Sequence, residues 1–170
     1  MPIIVIIIVA LFIFSLIIHV LLIRFGTHIG EKGHRNVLLQ NLFSIIEAFL
    51  VLIISWLWIM NYGSSGNRIY AIFTIIIGLI LLVSGIIGIK GILRESPEDL
   101  VTESLSDIRI TPAGYHNQDR KLEGMANGTH SWFMLRGADK ALAKSIKESG
   151  QDHVTVVYHS SNRRIESIYL

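Results

Sequence analysis

Three apolar runs, Pro2–Ile23, Leu38–Met60 and Ile69–Leu93, fill the first 93 residues of this 170-residue chain. Each exceeds the ~20 residues that cross a hydrocarbon core at about 1.5 Å per residue. Hydrocarbon offers no water to backbone N–H and C=O groups, so each run has to satisfy its own hydrogen bonds as a helix. The sequence therefore predicts a membrane α-helical domain of three transmembrane helices over residues 1–93, with spans at about 2–23, 38–60 and 69–93. A short linker, 94–100, and a small C-terminal α+β, β-rich domain, 101–170, follow. The first run has no basic leader and no small-residue cleavage site, so a retained helix is expected rather than a signal peptide.

Charge divides the chain at the same place. Five of the 15 Lys and Arg and two of the 13 Asp and Glu precede residue 94, leaving the membrane half at +3 and the remainder at −1. The basic pI of 9.0 thus comes from the loops beside the membrane, and nucleic acid is not expected as a partner. The absence of cysteine excludes disulfides and thiolate metal sites.

Basic residues in short loops orient membrane helices. The first loop, Arg24–Val37, holds Arg24, Lys32 and Arg35; the second, Asn61–Arg68, holds only Arg68; Lys90 and Arg94 close the third helix. This pattern puts the N-terminus outside and the C-terminal domain in the cytosol, as in a multi-pass protein of a bacterial inner membrane. Trp56, Trp58, Tyr62 and Tyr70 surround the second loop, where an interfacial aromatic belt belongs. The sequon Asn127-Gly128-Thr129 carries little weight in a cytosolic domain.

Glu47 is the one carboxylate inside a span, and Gln40, Ser44, Glu47, Val51 and Ser55 recur at helical spacing. A carboxylate in hydrocarbon costs several kcal/mol unless it is protonated, paired or wetted, which makes it a site hypothesis by default. The first helix offers His19 and Ser15 as partners. Depths counted from the ends of the apolar runs leave direct contact open, through a tilt or a bridging water. The readings that follow are a proton or cation relay, a polar contact with a partner's membrane helix, or a protonated or hydrogen-bonded Glu47 that locks the second helix to the first and third. The third helix carries Ala71, Thr74, Gly78, Gly85 and Gly88 on one stripe, with Ser84 and Gly88 as a small-xxx-small pair at its edge. Small residues let membrane helices approach closely, either within the three-helix unit or between copies and partners.

Beyond Pro97 the period changes from helical to alternating. Candidate strands are Val101–Ile110, Lys121–Ala126, His130–Arg136, His153–His159 and Arg164–Tyr169, with a helix over Ala138–Ser149 closed by Gly150. The order β-β-β-α-β-β is that of a small OB-like barrel. In the fourth strand Val154, Val156 and Tyr158 are expected inward, leaving His153 and His159 as solvated surface residues some 20 Å apart by the strand rise. That is too far to share an ion. Lys140, Lys144 and Lys147 share a helical face, either solvated or contacting anionic lipid headgroups. Tyr115, His116, Arg120, Lys121, Trp132 and Arg136 combine aromatic and basic groups where an OB-like barrel binds ligands, a chemistry suited to nucleotides; Trp132, Phe133 and Leu135 could equally be core.

No nucleophile elbow, P-loop, H-E-x-x-H or paired-carboxylate pattern is present, so neither enzyme activity, a cofactor nor a metal is expected. The leading expectation is a non-enzymatic accessory or regulatory subunit of the bilayer, assembling through its helices as a homo-oligomer or with a larger membrane protein complex. The alternatives are a signal-gated membrane effector whose soluble domain binds a small nucleotide-like ligand, and an ion- or proton-conducting oligomer that uses Glu47.

Overall fold

The computed structural model describes residues 3–61, 65–114 and 119–170. They form two compact units: Met1–Leu21 with Leu38–Lys90, and Leu22–Val37 with Gly91–Leu170.

The first unit is helical. α1 (Ile3–Phe25), α2 (Gly30–Asn61) and α3 (Ser65–Leu93) are each long and apolar enough to cross a membrane. Large apolar side chains such as Ile7, Phe14, Phe49, Phe73 and Ile80 are exposed, as helices facing lipid require. Trp56, Trp58 and Tyr70 are exposed as well, whereas Tyr62 lies outside the described residues. α2 starts eight residues before its apolar run. Glu31 stands in its first turn, where the helix dipole favours an anion, and pairs with Arg35 at i,i+4. The expected first loop therefore shrinks to Gly26–Ile29.

The small-residue stripe of α3 packs on α2 of the same chain. Ala71 is buried, and Thr74 Oγ1 lies 2.7 Å from Ser55 Oγ. A Cβ on Gly78 would stand 3.0 Å from the Leu52 side chain, and one on Gly85 only 2.7 Å from Ile45. One on Gly88 would overlap the Asn41 side chain. Ser84 is exposed and off this seam.

The second unit holds β1 (Leu100–Ala113), β2 (Asp119–Ala126), β3 (Thr129–Leu135), α4 (Lys140–Ser149), β4 (His153–His159) and β5 (Ile165–Tyr169). The expected β-β-β-α-β-β order is present, as one antiparallel sheet in the order β3-β2-β1-β4-β5. β1 serves both halves: Leu100–Ser106 pairs with β4, and the stretch from Ser106 to Ala113 pairs with β2. Between them the register shifts and Asp107 takes φ 50°, a bulge that bends the strand and raises its twist. Leu105, Leu122, Phe133, Leu135, Val154, Val156 and Ile165 fill the core, with Ala143 and Ile146 of α4 packed on it. α4 ends at Gly150, which adopts the left-handed conformation (φ 64°) that helix C-termini favour.

The described ladders leave β3 and β5 as edges. Arg163, in the turn between β4 and β5, reaches β3, donating from one guanidinium nitrogen to Ser131 Oγ (3.1 Å) and the Trp132 carbonyl (3.2 Å). Its guanidinium lies 4.8 Å from the Phe133 ring centroid and 5.1 Å from that of Tyr158, so the seam is joined by a side chain.

One expectation about β4 is corrected. His153 is exposed, but His159 is buried at 6% exposure, not a solvated surface residue. The register between β4 and β5 shifts at Val157/Tyr158, so simple alternation stops predicting sidedness before His159 is reached.

Candidate functional site

Two polar clusters stand out, one in each unit. In the helical unit, α1 brings Ser15 and His19 to Glu47 of α2. His19 Nδ1 lies 3.0 and 3.1 Å from the two carboxylate oxygens, and Ser15 Oγ donates to one of them at 3.4 Å. Glu47 is 3% exposed and Ser15 5%, and the Phe43 ring stacks at 6.5 Å from the imidazole. The direct contact that the sequence left open is made. Ser44 donates back to the Gln40 carbonyl at 3.2 Å, the bond by which a helical hydroxyl satisfies itself. Ser44 and Ser55 of the polar stripe thus bond α2's own backbone, and Ser55 also bonds Thr74.

In the second unit two carboxylates grip residues 22–37. Asp139, at the start of α4, is buried and accepts from Thr27 Oγ1 at 2.5 Å and from the His28 backbone N–H at 2.6 Å. Alongside, the Ala138 N–H donates to the Gly26 carbonyl at 3.2 Å. Gly137 has φ 54°, and a Cβ there would overlap the same carbonyl. Asn36 completes the turn: its Nδ2 donates to the carbonyls of Leu22, which also accepts the Gly26 N–H, and of Thr27 in the loop. Burial pushes the His28 imidazole below its ordinary value of 6.5, with Asp139 opposing and Arg136 reinforcing the shift.

Glu95 is the second anchor. Its carboxylate accepts from Arg164 Nε (2.8 Å) and Asn162 Nδ2 (2.7 Å), and His34 Nδ1 lies 2.8 Å away. Arg164 also donates to the Gly30 carbonyl (2.9 Å) and to Glu166 (3.0 Å). His159 Nε2 stands 3.9 Å from Glu95 and 3.6 Å from Glu166. Burial alone would raise the Glu95 carboxyl; the hydrogen bonds from Arg164, Asn162 and His34 and the Arg164 charge outweigh it and hold the group down to about 2. Sequence reasoning assigned none of Asp139, Glu95, Arg164, His34 or Asn36 a role. The only local hint was Asp139 standing at a helix start.

The expected ligand-binding set is divided. Tyr115 and His116 lie outside the described residues. Lys121 Nζ sits 4.9 Å from the Trp132 ring centroid and 2.8 Å from Glu123, on the outer face of β2 and β3. Trp132 is 46% exposed, while its neighbours Phe133 and Leu135 are core. Arg120, one residue from Lys121, belongs to the opposite face by strand alternation, and Arg136 Nε lies 3.6 Å from Asp119. The Lys121 ammonium draws the Glu123 carboxyl below its ordinary value. On α4, Lys144 and Lys147 are exposed and Lys140 half-buried, and Lys144 stands 3.6 Å from Glu148. Among the described residues no group of three or more His, Asp or Glu has the arrangement of a metal site. Comparison with known proteins finds no matching family model, curated protein or solved structure.

Proposed function

We propose that this chain is a non-enzymatic integral membrane accessory or regulatory subunit, whose β unit holds the ends of its membrane helices. The observation that carries the reading is the pair of anchors, Asp139 and Glu95. Together they bond the loop between α1 and α2, the first turns of α2 and the segment that follows α3 into the β unit. Any binding event that shifts the β unit is then felt at three helix ends, which suits regulation better than passive tethering. The excess of Arg24, Lys32, Arg35, Lys90 and Arg94 on that side supports a cytosolic β unit in a bacterial inner membrane.

The α3 seam is filled by α2, so assembly with a partner would use the remaining helix surfaces or the β unit. Replacing Gly78 and Gly85 together by Leu should disrupt the helix pair itself, lowering thermal stability rather than only shifting oligomer mass. The deciding experiment is gentle purification from native membranes followed by crosslinking and mass measurement. A larger membrane complex or a defined homo-oligomer is expected. A free monomer in native lipid would overturn the proposal. In the same membranes, a cysteine introduced at Gly128 should resist an impermeant maleimide in intact cells; rapid labelling would reverse the orientation.

A further inference from the structure

The Ser15–His19–Glu47 cluster supports a step beyond the subunit reading, and independent of it. Its geometry is that of a proton shared between a carboxylate and an imidazole. Whichever atom carries the proton, a 3.0–3.1 Å line joins donor and acceptor. The charge count follows from the groups facing the site. α1 contributes His19 as its only titratable side chain before Arg24, and α2 contributes Glu47 as its only one after Arg35. α3 has none between Tyr70 and Lys90. No permanent cation is therefore available to neutralise Glu47. With no shared proton the cluster carries −1, with one it is neutral, and with two it carries +1. In hydrocarbon either charged state costs several kcal/mol, so the surroundings select a single proton.

We propose that Ser15, His19 and Glu47 form a membrane-buried binding site for one proton, exchanged between His19 Nδ1 and the Glu47 carboxylate. In the transfer the N–H bond of the imidazolium breaks as the O–H bond of the carboxylic acid forms, and the reverse step restores the ion pair. Ser15 donates to the carboxylate and steadies its charged form. The His19 side chain keeps 14% exposure against 4% for Glu47, so the imidazole is the less enclosed of the two partners. A metal cation fits the site poorly: it would find three side-chain oxygens where hard cations take six or more ligands, and the imidazole already fills the near side.

The test uses the full chain in lipid nanodiscs at neutral pH, with infrared spectroscopy for the carboxyl and 15N-histidine NMR for the imidazole. His19 is assigned by the signal lost in His19→Asn. One signature is expected: either a carboxylic acid C=O band that disappears in Glu47→Gln, or an imidazolium pattern for His19. Ser15→Ala, which keeps both partners, should shift that signal without removing it, and serves if Glu47→Gln does not fold. A neutral His19 beside an ionised Glu47, both groups protonated, or a signal that follows sodium at constant pH would each overturn the assignment.

Discussion

Glu47 and Glu95 are both buried carboxylates beside a histidine, yet their surroundings treat charge in opposite ways. Glu95 has Arg164, a cation that does not titrate in proteins, together with Asn162 and His34, and its carboxyl is held down to about 2. Glu47 has one imidazole and one hydroxyl, and no permanent cation in reach. Near water a chain can use a fixed ion pair. Inside hydrocarbon, a neutral pair that can exchange its proton is the cheaper solution. The comparison separates a carboxylate held by a fixed cation from one met only by an imidazole and a hydroxyl.

Removing the guanidinium is the strongest way to break that contrast. Arg164→Ala leaves Glu95 with only neutral or titrating partners, and truncating one side of a buried ion pair costs about 3–5 kcal/mol. Thermal unfolding of the β unit should register a loss of that order. Arg164→Lys should recover only part of it, because an ammonium cannot reproduce the forked contacts to Glu95, Glu166 and the Gly30 carbonyl.

Acid provides the next test. Glu95 has its ordinary value of 4.5 when unfolded and about 2 when folded, so the unfolded chain takes up the proton first as pH falls. Its contribution to stability is full above 4.5 and lost progressively toward 2. His28, depressed below 6.5 by burial, acts in the same direction: stability is full above 6.5 and begins to fall below it. A pH series of unfolding midpoints should therefore decline in two stages, first from the turn at His28 and then from Glu95. A flat profile down to the lower range would remove both assignments.

The smallest effect is expected at Ser15. A hydrogen bond of 3.4 Å lies at the weak end of the range, so Ser15→Ala should cost less than about 1 kcal/mol in a denaturant titration of the helical unit. A larger loss would mean that the hydroxyl, rather than the imidazole, is the main partner of Glu47.

The elements were largely legible in the sequence, and the polar contacts between distant segments were not. Three spans, five strands and one helix follow from period and punctuation alone. The start of α2 escaped because Gly30–Val37 are polar; hydropathy marks where a helix meets lipid, whereas Glu31, Arg35 and the dipole mark where it begins. Depth counting could not bring His19 to Glu47: six positions separate His19 from the end of α1 at Phe25 and seventeen separate Glu47 from the start of α2 at Gly30, so neither the helix ends nor the ends of the apolar runs give a common depth reference. Asp139 and Glu95 were invisible because their partners lie more than sixty residues away, and no local pattern encodes such a separation. Trp132 could be read as core or surface from composition. Strand parity decides it: Phe133 and Leu135 face in, which turns Trp132 out.

Arg163 has a consequence for the chain's behaviour when crowded. An edge strand with free backbone groups is a template on which a second molecule can add a strand and begin an aggregate. By engaging the Trp132 carbonyl and setting a charge on the rings of Phe133 and Tyr158, Arg163 occupies part of that template. The same side chain that joins the seam also acts as a gatekeeper for solubility.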